Sequence, residues 1–148
     1  MTSRCYSMIL GLLLLTDGLT ASAEQAKSFG DYAIHYSTFR TDLLTPDVAS
    51  GYSITRSKTR ALLNISVLKK VLDASIKPVR ATVVATATNL SAQLKNLEIK
   101  EISDQGAIYY IAEIPVSDRE TLSFNVSVTP EGETNTYTFT FQQEFFTN

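Results

Sequence analysis

Few side chains here are of a type that does chemistry, and their spacing limits what can be asked of them. The one histidine, His35, stands between Ile34 and Tyr36. A hydrolytic nucleophile needs a base beside it, usually an imidazole held by a third group. No G-x-S-x-G turn accompanies His35, and a histidine in an alternating strand pattern is expected to be satisfied by a neighbour. Asp31 precedes it by four residues, about 13 Å along an extended strand, too far for a shared metal ion. The one cysteine is Cys5, and no D-x-D-x-D loop occurs, so neither a metal nor another cofactor is expected. Four carboxylates, Glu98, Glu101, Glu113 and Glu120, could provide the acid pair of a glycoside hydrolase. Their spacing singles out no pair, and a solvated sheet face explains them equally well. The expectation is no enzyme, with a carboxylate-based hydrolase as the alternative.

Two features suit binding better. In Arg56-Ser57-Lys58-Thr59-Arg60 an extended chain would put Arg56, Lys58 and Arg60 on one side. Such a stripe could hold a carboxylate, a phosphate or an acidic partner strand, arginine being suited to two-point contact. Read structurally, the same stripe discourages edge-to-edge pairing. The second feature is the adjacent pair Tyr109-Tyr110. If Tyr110 points inward with Ile108 and Ala112, Tyr109 and Ile111 share the opposite face. Exposed, they would make a binding patch; covered by the Leu43–Gly51 segment, the expected case, they would form a second small core.

These residues sit on elements that can be read from periodicity. A chain of 148 residues is the size of one domain. Its first 23 residues differ from the rest: Arg4, the apolar run Met8 to Leu15, the breakers Asp17-Gly18, then Ala21-Ser22-Ala23. That order is the secretory signal pattern, too short to span a bilayer, with cleavage expected after Ala23. Residues 24–148 then form one domain without Cys or Met, whose stability must come from packing. With 44% hydrophobic and 19% charged residues the chain should fold. A net charge of −2 argues against nucleic acid as partner.

Alternation with period two marks seven strands. They fall at Tyr32–Phe39, Leu62–Lys70, Val79–Thr88, Leu97–Glu101, Ile108–Ile114, Leu122–Val128 and Tyr137–Phe145. Leu63, Ile65 and Val67 lie on one side of the second, and Ile102 is out of phase with the fourth. Asp104-Gln105-Gly106, Ser117-Asp118 and Pro130-Glu131-Gly132 are turns. One short helix is expected at Thr45–Ser50, with Thr45 as cap and Pro46 in the first position. The fold class predicted is an all-β, antiparallel, immunoglobulin-like sandwich with one short helical turn. Phe145 should dock in the sheet. Charge is segregated along the chain: residues 24–97 carry ten Lys+Arg against five Asp+Glu, residues 98–148 two against nine. Interleaved strands would neutralise one another; the sharper alternative is a dipolar surface that steers a charged partner.

Several strings together resemble a family. Phe29-Gly30-Asp31-Tyr32, His35-Tyr36, Leu44-Thr45-Pro46 and the run Arg60–Lys69 are joined by Ala87-Thr88-Asn89-Leu90, Ala107-Ile108-Tyr109-Tyr110 and Phe141–Phe146. The set looks like domain-of-unknown-function family 4426, small secreted proteins of Gram-negative bacteria. The resemblance implies a periplasmic address and an all-β domain, and supplies no activity, ligand or catalytic residue.

The function expected is a periplasmic, non-enzymatic interaction module. It would bind an envelope protein or component through a strand edge or the stripe Arg56, Lys58, Arg60, with Tyr109 as a further contact. The alternative is a small-ligand carrier with a pocket between the sheets or under residues 41–52. Cavity volume discriminates: a carrier needs a closed concave site of roughly a few hundred Å3, an interaction module an open edge and a dry core.

Overall fold

Alternating inward and outward side chains make two antiparallel sheets, packed face to face. The computed structural model describes residues 24–148; the expected signal peptide and its cleavage point lie outside the described residues. Strands are numbered in chain order. The first sheet has the order β1 (Gln25–Phe29), β2 (Tyr32–Arg40), β3 (Arg60–Lys70), β8 (Ala107–Pro115), β7 (Lys100–Asp104). The second has β10 (Tyr137–Phe145), β9 (Glu120–Pro130), β5 (Ala81–Asn89), β6 (Leu94–Asn96). The fold is the all-β sandwich expected.

Six of the seven expected strands are present, the fourth is displaced toward the chain's end, and three short strands join them: β1, β6 and β4 (Ile76–Pro78). The first is polar and exposed except at Phe29, and the other two are three residues long, so none shows a readable period. Two of them carry the chain between sheets. β8 pairs with β3 from Arg60 to Ile65 and β4 takes over at Leu68 to Lys70. From β4 the chain crosses to β5, Val79 N–H bonding Val67 O at 2.9 Å. From β6 it crosses back to β7, Leu97 N–H bonding Ala85 O at 3.1 Å. The fourth expected run, Leu97–Glu101, is thus mostly crossover, with the strand beginning at Lys100.

The core lies between the sheets. Ile34, Leu63, Ile65, Val67 and Ile114 from the first sheet meet Leu122, Phe124, Val126 and Val128 from the second, all fully buried. Aromatic rings close the side where β1 and β2 face β10. Tyr36 lies 4.5 Å from Phe141, Phe141 stacks on Phe124 at 4.7 Å, and Phe29 stacks on Tyr137 at 5.0 Å. Each such pair adds about 0.5–1.5 kcal/mol beyond its buried area. Phe145 is buried, docking the last strand as expected. At Asp104-Gln105-Gly106 both Gln105 (φ 47°) and Gly106 (φ 83°) are left-handed, the geometry of a two-residue hairpin whose twist matches its strands.

Among the described residues, four of the six ion pairs join the basic and acidic halves of the chain: Arg60–Glu113, Lys69–Glu133, Arg80–Glu101 and Lys95–Glu120. At these four places the segregated charges meet across the fold, as interleaved strands allow.

Candidate functional site

The outward positions of the first sheet change character along its length. At one end Phe39, Leu62, Ile102, Tyr109 and Ile111 form an apolar patch. Further along β2 and β3 the same face is polar, with His35, Ser37, Asn64 and Ser66. An exposed apolar patch of that size is unfavourable in water, and residues 41–57 strap across it. The strap begins with a 3-10 turn at Thr41–Leu43 and continues as α1 (Pro46–Gly51), whose cap Thr45 accepts the Val48 N–H and whose first residue is Pro46. Ala49 and Ile54 are its buried contacts with the sheet, so the second small core exists.

Both ends of the strap are fastened to each other. Thr41 is 0% exposed; its hydroxyl donates to Thr55 O at 2.8 Å and accepts Ser57 N–H at 2.9 Å. The far side is tied to β7, where Tyr52 Oη donates to Asp104 Oδ2 at 2.7 Å and Lys100 Nζ donates to Tyr52 O at 3.3 Å. The Asp104 carboxylate holds the Tyr52 phenol above its ordinary pKa, so this donor persists through the neutral range.

Under the strap remains a cleft of about 270 Å3, walled by Phe39, Leu44, Val48, Leu62, Ile102, Tyr109 and Ile111. One polar residue of β3, Asn64, joins that lining, and its Oδ1 is sealed from solvent without a hydrogen-bond partner. A buried acceptor left unpaired costs about 1–3 kcal/mol. The cleft thus combines an apolar wall, two tyrosines at its margin and one polar residue, Asn64, whose own Oδ1 is sealed behind the surface.

Of the four residues singled out for binding, Tyr109 lies in this cleft. Arg56, Lys58 and Arg60 do not form the expected stripe. The chain turns at Lys58-Thr59, with Arg60 N–H returning to Ser57 O, because Ser57 Oγ accepts the Thr59 N–H and favours a local turn over extension. Arg56 then reaches back to Asp42 O at 3.0 Å, Lys58 sits in the turn, and Arg60 opens β3 and pairs with Glu113 at 2.9 Å. Two of the three cations are engaged within the chain.

The other candidates are also accounted for locally. His35 Nδ1 lies 3.0 Å from Glu24 Oε1, the neighbour expected for a strand histidine. Glu101 pairs with Arg80 and accepts from Tyr110 Oη at 3.2 Å, and Glu120 pairs with Lys95. Glu98 and Glu113 line one open cleft of about 310 Å3, but Glu113 is committed to Arg60. Among the described residues no group of three His, Cys, Asp or Glu side chains could hold a metal ion, and no helix is long and apolar enough to cross a membrane.

Sequence reasoning passed over Asn64 as a site residue. Its signal was present: it interrupts the outward row of β3 between Leu62 and the polar Ser66. A single Asn in a strand is too common to single out until the strap is seen to cover it.

The fold has relatives among solved structures. FetP from uropathogenic E. coli strain F11, expressed in the periplasm of E. coli BL21(DE3), superposes with a TM-score of 0.59 at 8% identity, covering 84% of this chain and 95% of that one. A copper-bound variant of FetP gives 0.57 at 9% identity with the same coverage. At such identity the likeness shows the fold alone. A crystal structure of a DUF4426 family protein from Pseudomonas aeruginosa PAO1 is 39% identical, with a TM-score of 0.73, covering 83% of this chain and 94% of that one. Comparison with curated proteins gives no match. The DUF4426 profile, a domain of unknown function, matches residues 26–148, from the first strand to the last residue, and the chain belongs to that family.

Proposed function

We propose that this protein is an exported, non-enzymatic binding module whose ligand site is the cleft between the strap and the outer face of the first sheet. The observation that carries the reading is the apolar cleft of about 270 Å3 with Asn64, whose Oδ1 is partnerless, in its lining. That volume equals about nine water molecules at their share of liquid volume. It lies just below the usual range for drug-sized ligands and suits an indole-sized ring or a short alkyl chain. Asn64 is the one polar residue among the apolar side chains and tyrosines that line the cleft. The core between the sheets is filled by interlocked side chains, which favours the strap over the inter-sheet space as the place for a carrier's pocket.

The periplasm fits both the secretory pattern of residues 1–23 and the periplasmic expression of FetP. Copper binding does not transfer with the fold. Residues 24–148 contain one imidazole and neither thiol nor thioether, whereas copper sites draw on several such donors. The non-enzymatic reading rests on the ion pairs that occupy Glu101, Glu113 and Glu120 and on the engagement of His35 by Glu24 with no nucleophile turn beside it.

Titration calorimetry with indole and with octanol tests the site. Asn64→Leu narrows the cleft and removes the unpaired acceptor, so it should weaken binding while raising the thermal midpoint. Binding that survives Asn64→Leu unchanged would place the ligand elsewhere, and no heat with either probe would end the carrier reading for ligands of this size.

A further inference from the structure

The edge strands of the described sheets are not protected alike; β4 has three residues, among them Lys77 and Pro78. β1 and β7 are five residues long, and both carry lysine; β6 has three residues, one of them Lys95. Short length and lysine are the usual devices that keep an edge from pairing with another chain. The edge strand β10 has neither: it runs nine residues, Tyr137 to Phe145, without Lys, Arg or Pro, and its one charge is Glu144. It alternates aromatic residues inward with Thr138, Thr140 and Gln142 outward, and pairs with β9 over its whole length without a bulge. Its outer side therefore presents a straight row of backbone donors and acceptors.

We infer that β10 is the homodimer interface, pairing antiparallel with β10 of a second copy about a two-fold axis through Phe141. The occupant follows from self-complementarity. In this register Phe141 faces Phe141 of the second copy, Thr140 faces Gln142, and Thr138 faces Glu144. No like charges meet, and the four-stranded second sheet continues as one sheet of eight. Residues that face each other differ in number by an even step, so those with free backbone groups meet one another, as an antiparallel ladder requires. An isologous contact of this kind closes after two subunits and leaves no growing fibre. Gln143 turns its side-chain amide onto Glu144 O at 2.8 Å, a local bond that the paired ladder must accommodate.

The outward positions supply the test, because Thr140 and Gln142 are exposed and face only Asn125 and Ser123 on β9. Sedimentation equilibrium should show a concentration-dependent dimer of the protein. The double variant Thr140→Lys with Gln142→Lys sets lysine opposite lysine at two rungs and should weaken dimerisation by about tenfold. The variant Thr140→Lys with Gln142→Glu sets lysine opposite glutamate at both rungs and should restore it. Thermal midpoints within a few degrees of the parent show that the fold is intact. A monomer at every concentration, a dimer indifferent to the lysine pair, or a failure of the glutamate variant to rescue would each overturn the interface.

Discussion

Single residues in this protein carry more structure than chemistry, and the tyrosines show it. Tyr32, Tyr36 and Tyr110 point into the sandwich, and burial raises the pKa of each phenol above the ordinary value near 10. Their hydroxyls are still used: Tyr32 donates to Glu133 at 2.8 Å, Tyr36 to Gln25 at 2.7 Å, and Tyr110 accepts Ala81 N–H at 2.8 Å. A group whose pKa is higher when folded binds its proton more tightly in the native state, so the native state is favoured below the unfolded value and loses that advantage as pH rises through the folded one. Stability should therefore fall as pH climbs above about 10. Phenolate absorbance at 295 nm, followed beside circular dichroism, should show these phenols ionising late and together with unfolding. Full ionisation near pH 10 with the sheet intact would contradict the buried placement.

At the scale of elements, the strap decides whether a cleft exists. Its helix is six residues long, too short to be stable by itself, so its place depends on fastening. The Thr41 hydroxyl is that fastening, sealed in the structure and bonded to both Thr55 and Ser57. Thr41→Val keeps the shape and leaves the Ser57 N–H and Thr55 C=O without that partner, at a cost of about 1–3 kcal/mol. Hydrogen exchange should rise across residues 41–57 while β9 and β5 stay protected. Uniform loss of protection would mean that the strap and the sandwich unfold as one unit. Thr45 and Pro46 were legible as a helix start because capping is local chemistry. Thr41 was not, since its partners lie 14 and 16 residues away.

For the whole molecule the question is what holds a basic half to an acidic half without a disulfide among residues 24–148. Exposed ion pairs contribute about 0–1 kcal/mol each and are screened by salt. The side chains of Arg60–Glu113 are 48% and 27% exposed and those of Arg80–Glu101 60% and 38%, so they belong to that class. Phe124 is 0% exposed and stacked on Phe141 at 4.7 Å. Phe124→Ala should cost about 3–5 kcal/mol. Moving from low salt to 1 M NaCl should lower the urea-unfolding free energy by no more than about 1–2 kcal/mol in all. A salt effect as large as the Phe124 effect would make electrostatics, not packing, the main bond between the halves.

The sequence alone determined the all-β class, six of the ten strands and the start of a seventh, which of their side chains face inward, the capped helical turn and the second small core under it. Each follows from period two or from cap and turn residues, which act between near neighbours and leave their mark within a few positions. The tertiary structure decided the rest. Lys58-Thr59 turns instead of extending, so Arg56 and Arg60 find Asp42 and Glu113 and the basic stripe dissolves. Asn64 lost its partner when a strap 7 to 23 residues upstream folded over β3. The unguarded edge of β10 exists because β9 pairs with its other side. Such properties depend on which distant segments meet, and a strand records its own alternation but not its neighbours.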